Sequence, residues 1–275
     1  MLSLLVARSV AGSTTEDSIR FAVASELLHN ATLLHDDVAD ESDRRRGCPT
    51  LRCTMGPSVS VLVGDFWLVR AVRAVLDADR ARERVVSMYA KTLSDLAEGE
   101  MFQLQKASTG DTMLEDYLSI IYRKTASLFE VTALTAAISV GASAQMEEAA
   151  AAFGRNVGLA FQMQDDIFDY LPSAALGKPC GVDLMEGKIT LPLLGALRNV
   201  PREQQERIRG LVRGITPDRR DEIAAFVREH GGIEYARDVL HEYVDKALQA
   251  LEDFPPSKDR DILSSLSSYI ATRDK

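Results

Sequence analysis

Two short segments of this sequence each carry three aspartates at the same spacing. They read Asp36-Asp37-Val-Ala-Asp40, the first aspartate cluster, and Asp165-Asp166-Ile-Phe-Asp169, the second aspartate cluster. Residues four apart share one face of a helix, so each cluster would stack its first and last carboxylates. Like charges at that spacing destabilise a helix, and a divalent cation would reverse this effect. Hard oxygen ligands favour Mg²⁺ over zinc or copper, although two solvated acidic helix ends are the alternative interpretation.

Basic side chains accompany both clusters. Three consecutive arginines at 44–46 follow the first cluster, and Lys178 and Lys188 bracket a glycine-containing segment after the second. Lys124 and Thr125 lie in an otherwise apolar stretch with helical spacing. A guanidinium presents a planar fork to phosphate oxygens, and an ammonium acts as a point charge for phosphate. Taken alone, the arginines are better explained as an exposed basic turn, and each lysine could equally be a solvated surface charge.

Together, the carboxylates and cations suggest a pocket for a diphosphate that carries a hydrophobic tail. Mg²⁺ usually binds one or two carboxylates and completes its shell with water and phosphate oxygens. A diphosphate whose charge is neutralised is a good leaving group, and its departure from an allylic carbon leaves a delocalised carbocation. A protein that uses this chemistry must exclude water and hold an alkene beside the cation.

The elements that must position these residues are predicted to be helices. Apolar residues recur three and four apart over 21–34, 59–76, 85–104, 117–138, 153–170 and 235–251. We find no sustained alternation that would predict a strand. Since no long linker or low-complexity stretch divides the 275 residues, we predict one all-α domain, a bundle of about ten helices. The helices that carry the two clusters are apolar on more than one face and should lie in its middle.

Composition excludes several classes of protein. The net charge of −9 argues against a nucleic-acid partner, which would require a basic footprint. Three scattered cysteines do not make a disulfide framework or a zinc site, so we expect a reducing, cytoplasmic setting. The apolar opening segment lacks a basic start and is too short for a signal peptide. No run of eighteen apolar residues predicts a membrane span.

At this point the sequence resembles the trans-isoprenyl diphosphate synthases, the polyprenyl synthetase family, of the long-chain type. One of the segments that carry the resemblance is Phe-Gln-Met-Gln-Asp-Asp-Ile-Phe-Asp at 161–169. The other matching segments occur in the same order, at 26–40, 45–50, 61–65, 98–103, 123–125 and 177–193. The resemblance covers nearly the whole chain, 1–275, as one domain. It implies a helical bundle around a deep apolar cavity, a homodimer, and condensation of an allylic prenyl diphosphate with isopentenyl diphosphate.

The resemblance also implies a role for each matching residue. Mg²⁺, about three ions per active site, would bind to Asp36, Asp37, Asp40, Asp165, Asp166 and Asp169. The allylic diphosphate would be held by Arg45, Lys124, Gln162, Lys178 and Lys188, with Thr125 near the reacting carbon. Isopentenyl diphosphate would be held by His29 and Arg46, with a hydrogen-bonded core histidine as the alternative interpretation of His29. The departed diphosphate, rather than a side chain, would take the final proton.

Product length should depend on the residues below the first aspartate cluster. In this family a bulky aromatic side chain four or five residues before the first aspartate blocks the cavity. Ala31 and Thr32 occupy those positions, and both are small. We therefore expect an all-trans product longer than farnesyl, unless a bulky residue such as Met101 or Phe102 forms the floor.

The family pattern is broken at the beginning of the sequence. A Gly-Gly-Lys-Arg-x-Arg-Pro segment normally precedes the region that matches residues 2–9, and we expect this domain to lack both that segment and the family's first helix. Two other functions therefore remain open: a terpene cyclase that converts one prenyl diphosphate, and a non-catalytic subunit of a heteromeric synthase. The second intact aspartate cluster argues against both.

Overall fold

The structure is a computed structural model that describes residues 1–171 and 181–273. It confirms the all-α class. The helices are α1 (Leu2–Ala11), α2 (Glu16–Ala39), α3 (Leu51–Met55), α4 (Pro57–Leu76), α5 (Arg82–Thr109), α6 (Leu114–Ile121), α7 (Ser127–Ser139), α8 (Ala144–Phe168), α9 (Val182–Met185), α10 (Leu191–Arg198), α11 (Arg202–Arg213), α12 (Pro217–Glu229), α13 (Gly232–Ala250) and α14 (Lys258–Thr272). Ten of these fourteen described helices have ten or more residues, which matches the predicted number.

The helices that carry the aspartates begin at side-chain caps and end at the clusters. Thr15 and Ser18 form a reciprocal capping box at the start of α2, and the Ser143 hydroxyl accepts a hydrogen bond from Met146 at the start of α8. Asp40 and Asp169 are the C-terminal cap residues of α2 and α8. Both clusters therefore lie at the negative end of a helix dipole, which raises the free energy of each ionised carboxylate.

Helix α8 lies in the middle of the bundle and packs closely on α7. A Cβ atom on Gly154 would lie 2.5 Å from the Phe129 carbonyl oxygen, and one on Gly158 would lie 2.6 Å from the Ala126 Cα. These two glycines therefore let the helix backbones approach each other. The close approach brings Gln162 on α8 within hydrogen-bond distance of Thr125, which precedes α7.

A short hairpin follows the first aspartate cluster. Strands β1 (Arg44–Arg45) and β2 (Cys48–Pro49) pair antiparallel, with Arg45 opposite Cys48. Arg46 and Gly47 join them, and both have positive φ, at 50° and 80°. Two central residues with positive φ make a tight hairpin turn, for which glycine is well suited. The apolar pattern did not predict these strands because each has only two residues.

The apolar interior has two parts. The larger cluster surrounds α8 and includes Phe153, Met163 and Ile167. The smaller cluster lies between α2, α4, α5 and α7 and includes Phe21, Leu28 and Tyr89. Within the described ranges, none of the helices combines the length and the hydropathy that crossing a membrane requires.

Candidate active site

The three aspartates of the first cluster have different surroundings. Asp37 is only 4 % exposed, and its Oδ1 accepts a hydrogen bond of 2.8 Å from Arg45 Nε in the hairpin. Asp36 is half-buried and Asp40 is exposed. Asp37 therefore anchors the arginine hairpin to α2, while Asp36 and Asp40 have no hydrogen-bonded partner for their carboxylates among the described residues.

Asp36 lies in a crowded electrostatic environment. Burial raises its pKa to about 6, and the negative charges of Glu100 and Asp40 add to that rise, whereas Lys124 and Arg45 oppose it. Burial also raises the pKa of Asp40, which the Lys188 charge opposes. A divalent cation bound to Asp36 and Asp40 would compensate this excess of negative charge.

Each carboxylate oxygen of Asp166 accepts a hydrogen bond from a neighbouring side chain. The Tyr117 hydroxyl donates to Oδ2 at 2.6 Å, and Gln162 Nε2 donates to Oδ1 at 2.9 Å. Burial and the neighbouring Asp183 raise the pKa of Asp166 well above its usual range, and the two donors oppose that rise. Asp166 thus anchors a hydrogen-bond network.

The other two aspartates of the second cluster also bind groups of the chain. Asp165 forms an ion pair with Arg273 near the end of α14, and the guanidinium lies over the Phe161 ring, 4.5 Å from its centroid. Asp169 accepts hydrogen bonds from the backbone N–H groups of Val182 and Asp183, at 2.9 and 3.1 Å. Burial and Asp183 raise the pKa of Asp169 to about 6, although these N–H groups favour its charged form.

Lys124 and Thr125 lie in a π-helical turn, Tyr122–Ala126, between α6 and α7. Such single turns widen a helix locally and are frequent at functional sites. Lys124 forms an ion pair with Glu100 on α5, and Thr125 Oγ1 donates to Gln162 Oε1 at 2.8 Å. A Cβ atom on Gly99 would lie 2.7 Å from Arg123 Cβ, so glycine at this position lets α5 approach the turn.

Lys188 and Asp183 connect the two clusters electrostatically. Burial opposes the charge of Lys188, but Asp183, Glu186 and Asp40 outweigh it and raise the pKa of the ammonium. Lys188 Nζ lies 3.5 Å from Asp183 Oδ1, and Asp183 in turn acts on Asp166 and Asp169. Lys188 therefore acts directly on the first cluster through Asp40 and is connected to the second cluster through its ion pair with Asp183.

Several of these groups line a cavity of about 110 Å³. Its polar wall includes Lys124, Gln162, Asp166, Asp183 and Lys188, and its apolar wall includes Ile120, Ile121 and Ile189. The cavity thus offers both anions and cations beside apolar side chains. That combination suits a metal-bound diphosphate on a hydrophobic group.

Of the remaining predicted residues, those that the structure describes are not part of the wall of this cavity, and one lies outside the described ranges. Burial and the charges of Arg46 and Arg45 lower the pKa of His29, which lies three turns before the end of α2. Arg46 is exposed at the hairpin turn. Ala31 is fully buried, whereas Thr32 is half-buried on the face of α2 that carries Asp36. Lys178 lies outside the described residues.

The donor set fits Mg²⁺ in its chemistry. Asp36 and Asp40 are carboxylates with no protein donor among the described residues, and hard oxygen ligands are what Mg²⁺ requires. In the described part of the chain, no three acidic, histidine or cysteine side chains already converge as a metal site. Mg²⁺ usually takes one or two carboxylates and fills its other positions with phosphate and water.

Four residues of this region were missing from the predicted site: Tyr117, Asp183, Glu100 and Arg273. Asp183 and Glu100 lie inside segments that carry the family resemblance, so these acidic residues could have been predicted as part of the site. Tyr117 and Arg273 gave no such signal. They lie 49 and 108 positions from the aspartates that they contact, and only the tertiary fold brings them there.

Known proteins share this sequence and this architecture. Residues 1–229 match the family model described as polyprenyl synthetase. The octaprenyl diphosphate synthase of Haemophilus influenzae is 41% identical over 276 aligned residues, covering 100% of this chain and 83% of that protein. A decaprenyl diphosphate synthase structure from Rhodobacter capsulatus superposes with a TM-score of 0.92 at 33% identity, covering 100% of this chain and 84% of the other.

A third similar protein was solved with ligands. The structure of a polyprenyl synthase from Caulobacter crescentus, complexed with calcium and isoprenyl diphosphate, superposes with a TM-score of 0.89 at 36% identity. The match covers 100% of this chain and 84% of that one. Its fold, like that of the other relatives, is the helical bundle described above. On the family match and on these identities, the chain belongs to the polyprenyl synthetase family.

Proposed function

We propose that this protein is a Mg²⁺-dependent trans-polyprenyl diphosphate synthase. It would condense an allylic prenyl diphosphate with isopentenyl diphosphate and repeat the step to make an all-trans product longer than farnesyl. The observation that carries the proposal is a cavity lined by Asp166 and by two lysines, Lys124 and Lys188, whose charges act on Asp36 and Asp40 of the first cluster. The names of the octaprenyl and decaprenyl diphosphate synthases that this chain resembles support the long-chain type.

The residues divide into metal-binding and phosphate-binding groups. Asp36 and Asp40 would hold Mg²⁺ from the first cluster, and Asp165 from the second once its ion pair with Arg273 opens. Asp37, Asp166 and Asp169 would not bind Mg²⁺ directly, since each already accepts hydrogen bonds from the protein. When bound, Mg²⁺ neutralises the diphosphate and makes it a better leaving group. Arg45, Lys124, Gln162 and Lys188 would hold the diphosphate oxygens, with Lys178 as a further cation of the same site.

Cleavage of the bond between C1 and the diphosphate oxygen leaves an allylic carbocation. The double bond of isopentenyl diphosphate attacks C1, and the departed diphosphate takes the proton that is then lost, which balances the reaction. His29 and Arg46, close enough to each other for their charges to interact, would hold the second diphosphate. The apolar wall of the cavity excludes water, which would otherwise capture the cation.

Product length would be set on the face of α2 below Asp36. Thr32 is half-buried on that face and hydrogen-bonds to the His29 carbonyl at 2.8 Å. Ala31, which is fully buried, would affect length only by displacing its neighbours. Thr32 is therefore the position at which an aromatic residue should shorten the product most directly.

A second copy of the chain would cover an exposed apolar face on α4. Leu62, Phe66 and Val69 are 66 %, 60 % and 58 % exposed, and they follow one another at helical spacing. Exposed apolar stripes of this kind mark interaction surfaces. The family resemblance implies a homodimer, and this face is where we place it.

The test is incorporation of labelled isopentenyl diphosphate onto a farnesyl diphosphate primer. With Mg²⁺, the wild-type protein should incorporate the label. Addition of a chelator should abolish nearly all of this activity, and the Asp36→Asn variant should lose nearly all of it even with Mg²⁺. Asp245→Asn, an exposed aspartate on α13, is the matched control and should remain active. Substantial activity of Asp36→Asn would contradict the metal assignment.

The same assay distinguishes the two other functions. A terpene cyclase would consume the primer without isopentenyl diphosphate, and a non-catalytic subunit would consume neither substrate. The second cluster, with Asp165, Asp166 and Asp169 all present, is the feature that favours elongation over both.

A further inference from the structure

Four side chains form one continuous hydrogen-bonded chain beside the cavity. Tyr117 on α6 donates to Asp166, Gln162 donates to the other oxygen of Asp166, and Thr125 donates to Gln162. The three distances are 2.6, 2.9 and 2.8 Å. Three elements of the fold contribute: α6, α8 and the π-helical turn. Tyr117 is 2 % exposed, so water cannot readily replace its hydroxyl.

The carboxylate at one end fixes the direction of every hydrogen bond in this chain. A carboxylate only accepts, so Gln162 must turn its NH₂ group toward Asp166 and its carbonyl oxygen toward Thr125. The Thr125 hydroxyl must then donate its proton to Gln162. Its oxygen lone pairs are left for whatever lies on its other side, where Thr125 remains partly exposed.

We propose that Tyr117 is a positioning residue that orients Thr125 through Asp166 and Gln162, so that Thr125 presents lone pairs, not a proton, to the reacting group. Oxygen lone pairs stabilise an electron-deficient carbon, whereas a hydroxyl proton would repel it. Without the phenol, one buried oxygen of Asp166 loses its donor, and the carboxylate can rotate away from Gln162. The inference rests on the proposed function, because only an allylic cation makes this orientation useful.

The first test compares two buried tyrosines. Tyr117→Phe removes only the hydroxyl and should lower kcat about tenfold, with the KM of each diphosphate changed less than about twofold. Tyr89→Phe is the matched control, because the Tyr89 hydroxyl is also buried and hydrogen-bonds Ser25 and the Phe21 carbonyl, but in the smaller apolar cluster and not in the cavity wall. Tyr89→Phe should lose comparable thermal stability and keep the wild-type kcat. Equal kcat values for Tyr117→Phe and wild type would overturn the proposal.

The second test is a double-mutant cycle with Thr125→Val. If Tyr117 acts through Thr125, then Tyr117→Phe should have almost no further effect on kcat once the Thr125 hydroxyl is absent. The same tenfold loss in both backgrounds would overturn the proposal. Should Tyr117→Phe fail to fold by circular dichroism, Gln162→Met breaks the same chain and should show the same dependence on Thr125. A wild-type protein that makes no product would overturn the proposed function as well, whereas an active one with additive variants overturns only this inference.

Discussion

At the scale of single residues, six aspartates with one spacing turn out to do different things. Asp37 holds Arg45, Asp166 holds Tyr117 and Gln162, and Asp169 caps the backbone of α9. The spacing predicted that both clusters lie at the ends of helices, because helical periodicity is a local property. It could not show which carboxylates have protein partners, since those partners come from distant parts of the chain.

The pH dependence of the free energy of unfolding should reveal the raised pKa of the Asp36 carboxyl group. Because its pKa is raised from 3.8 to about 6 in the folded protein, the native state binds the extra proton between those values. This contribution to stability is present at low pH and is lost as the pH rises through 6. Asp36→Asn and the wild type should therefore have similar free energies of unfolding at pH 4. At pH 8 the variant should be more stable than the wild type by about 1 to 2 kcal/mol.

The measurement is thermal or urea unfolding of the metal-free protein across this range of pH. Asp245→Asn, exposed on α13, serves again as the control and should follow the wild type at each pH. A difference between Asp36→Asn and wild type that stays constant from pH 4 to pH 8 would show that Asp36 has an ordinary environment.

At the scale of elements, the position of the cationic turn depends on how closely α5 approaches it. The sequence predicts one helical run over 117–138, but the structure divides it into α6, a π-helical turn and α7. Apolar spacing does not reveal a single widened turn, because the helices on both sides of it, α6 and α7, are themselves rich in buried residues. The functional pair, Lys124 and Thr125, lies in this irregular part.

Gly99→Ala should separate α5 from this turn. The new methyl would lie 2.7 Å from Arg123 Cβ and 3.1 Å from the Lys124 backbone nitrogen, so the backbone would have to move. We expect a loss of about 1 to 3 kcal/mol in unfolding free energy and a clear loss of kcat. Denaturant unfolding and steady-state kinetics measure the two effects.

Gly210→Ala on α11 is the matched control for this substitution. Its methyl would meet only the end of Arg213, 4.0 Å away, so the higher helix propensity of alanine should dominate. That variant should gain about 0.5 to 1 kcal/mol and keep its activity. Equal behaviour of the two variants would contradict the close approach at Gly99.

At the scale of the whole molecule, the fold was the most predictable feature and the surface the least. Helical periodicity over most of the chain predicts a bundle, and the order of its motifs predicts the family. The apolar spacing over 59–76 predicts the helix α4, but it does not show that Leu62, Phe66 and Val69 are exposed in the single chain. An apolar stripe indicates that a face is covered, but not whether the chain itself or a second copy covers it.

Phe66→Glu should therefore weaken self-association. A charge in the middle of an apolar interface is costly to bury, so the variant should sediment as a monomer at micromolar concentration while the wild type sediments as a dimer. Ile262→Glu, at an exposed apolar position on α14, is the control and should leave the dimer intact. A monomeric wild type would contradict the proposed interface on α4.

The size of the product is the most direct test of the central claim, that this cavity elongates a prenyl chain. The protein would be incubated with Mg²⁺, farnesyl diphosphate and excess isopentenyl diphosphate, and the dephosphorylated products sized by reversed-phase chromatography with mass detection. We predict a ladder of all-trans polyprenols that extends beyond the primer by several isoprene units. Unextended farnesol, or cyclic hydrocarbon made without isopentenyl diphosphate, would contradict it.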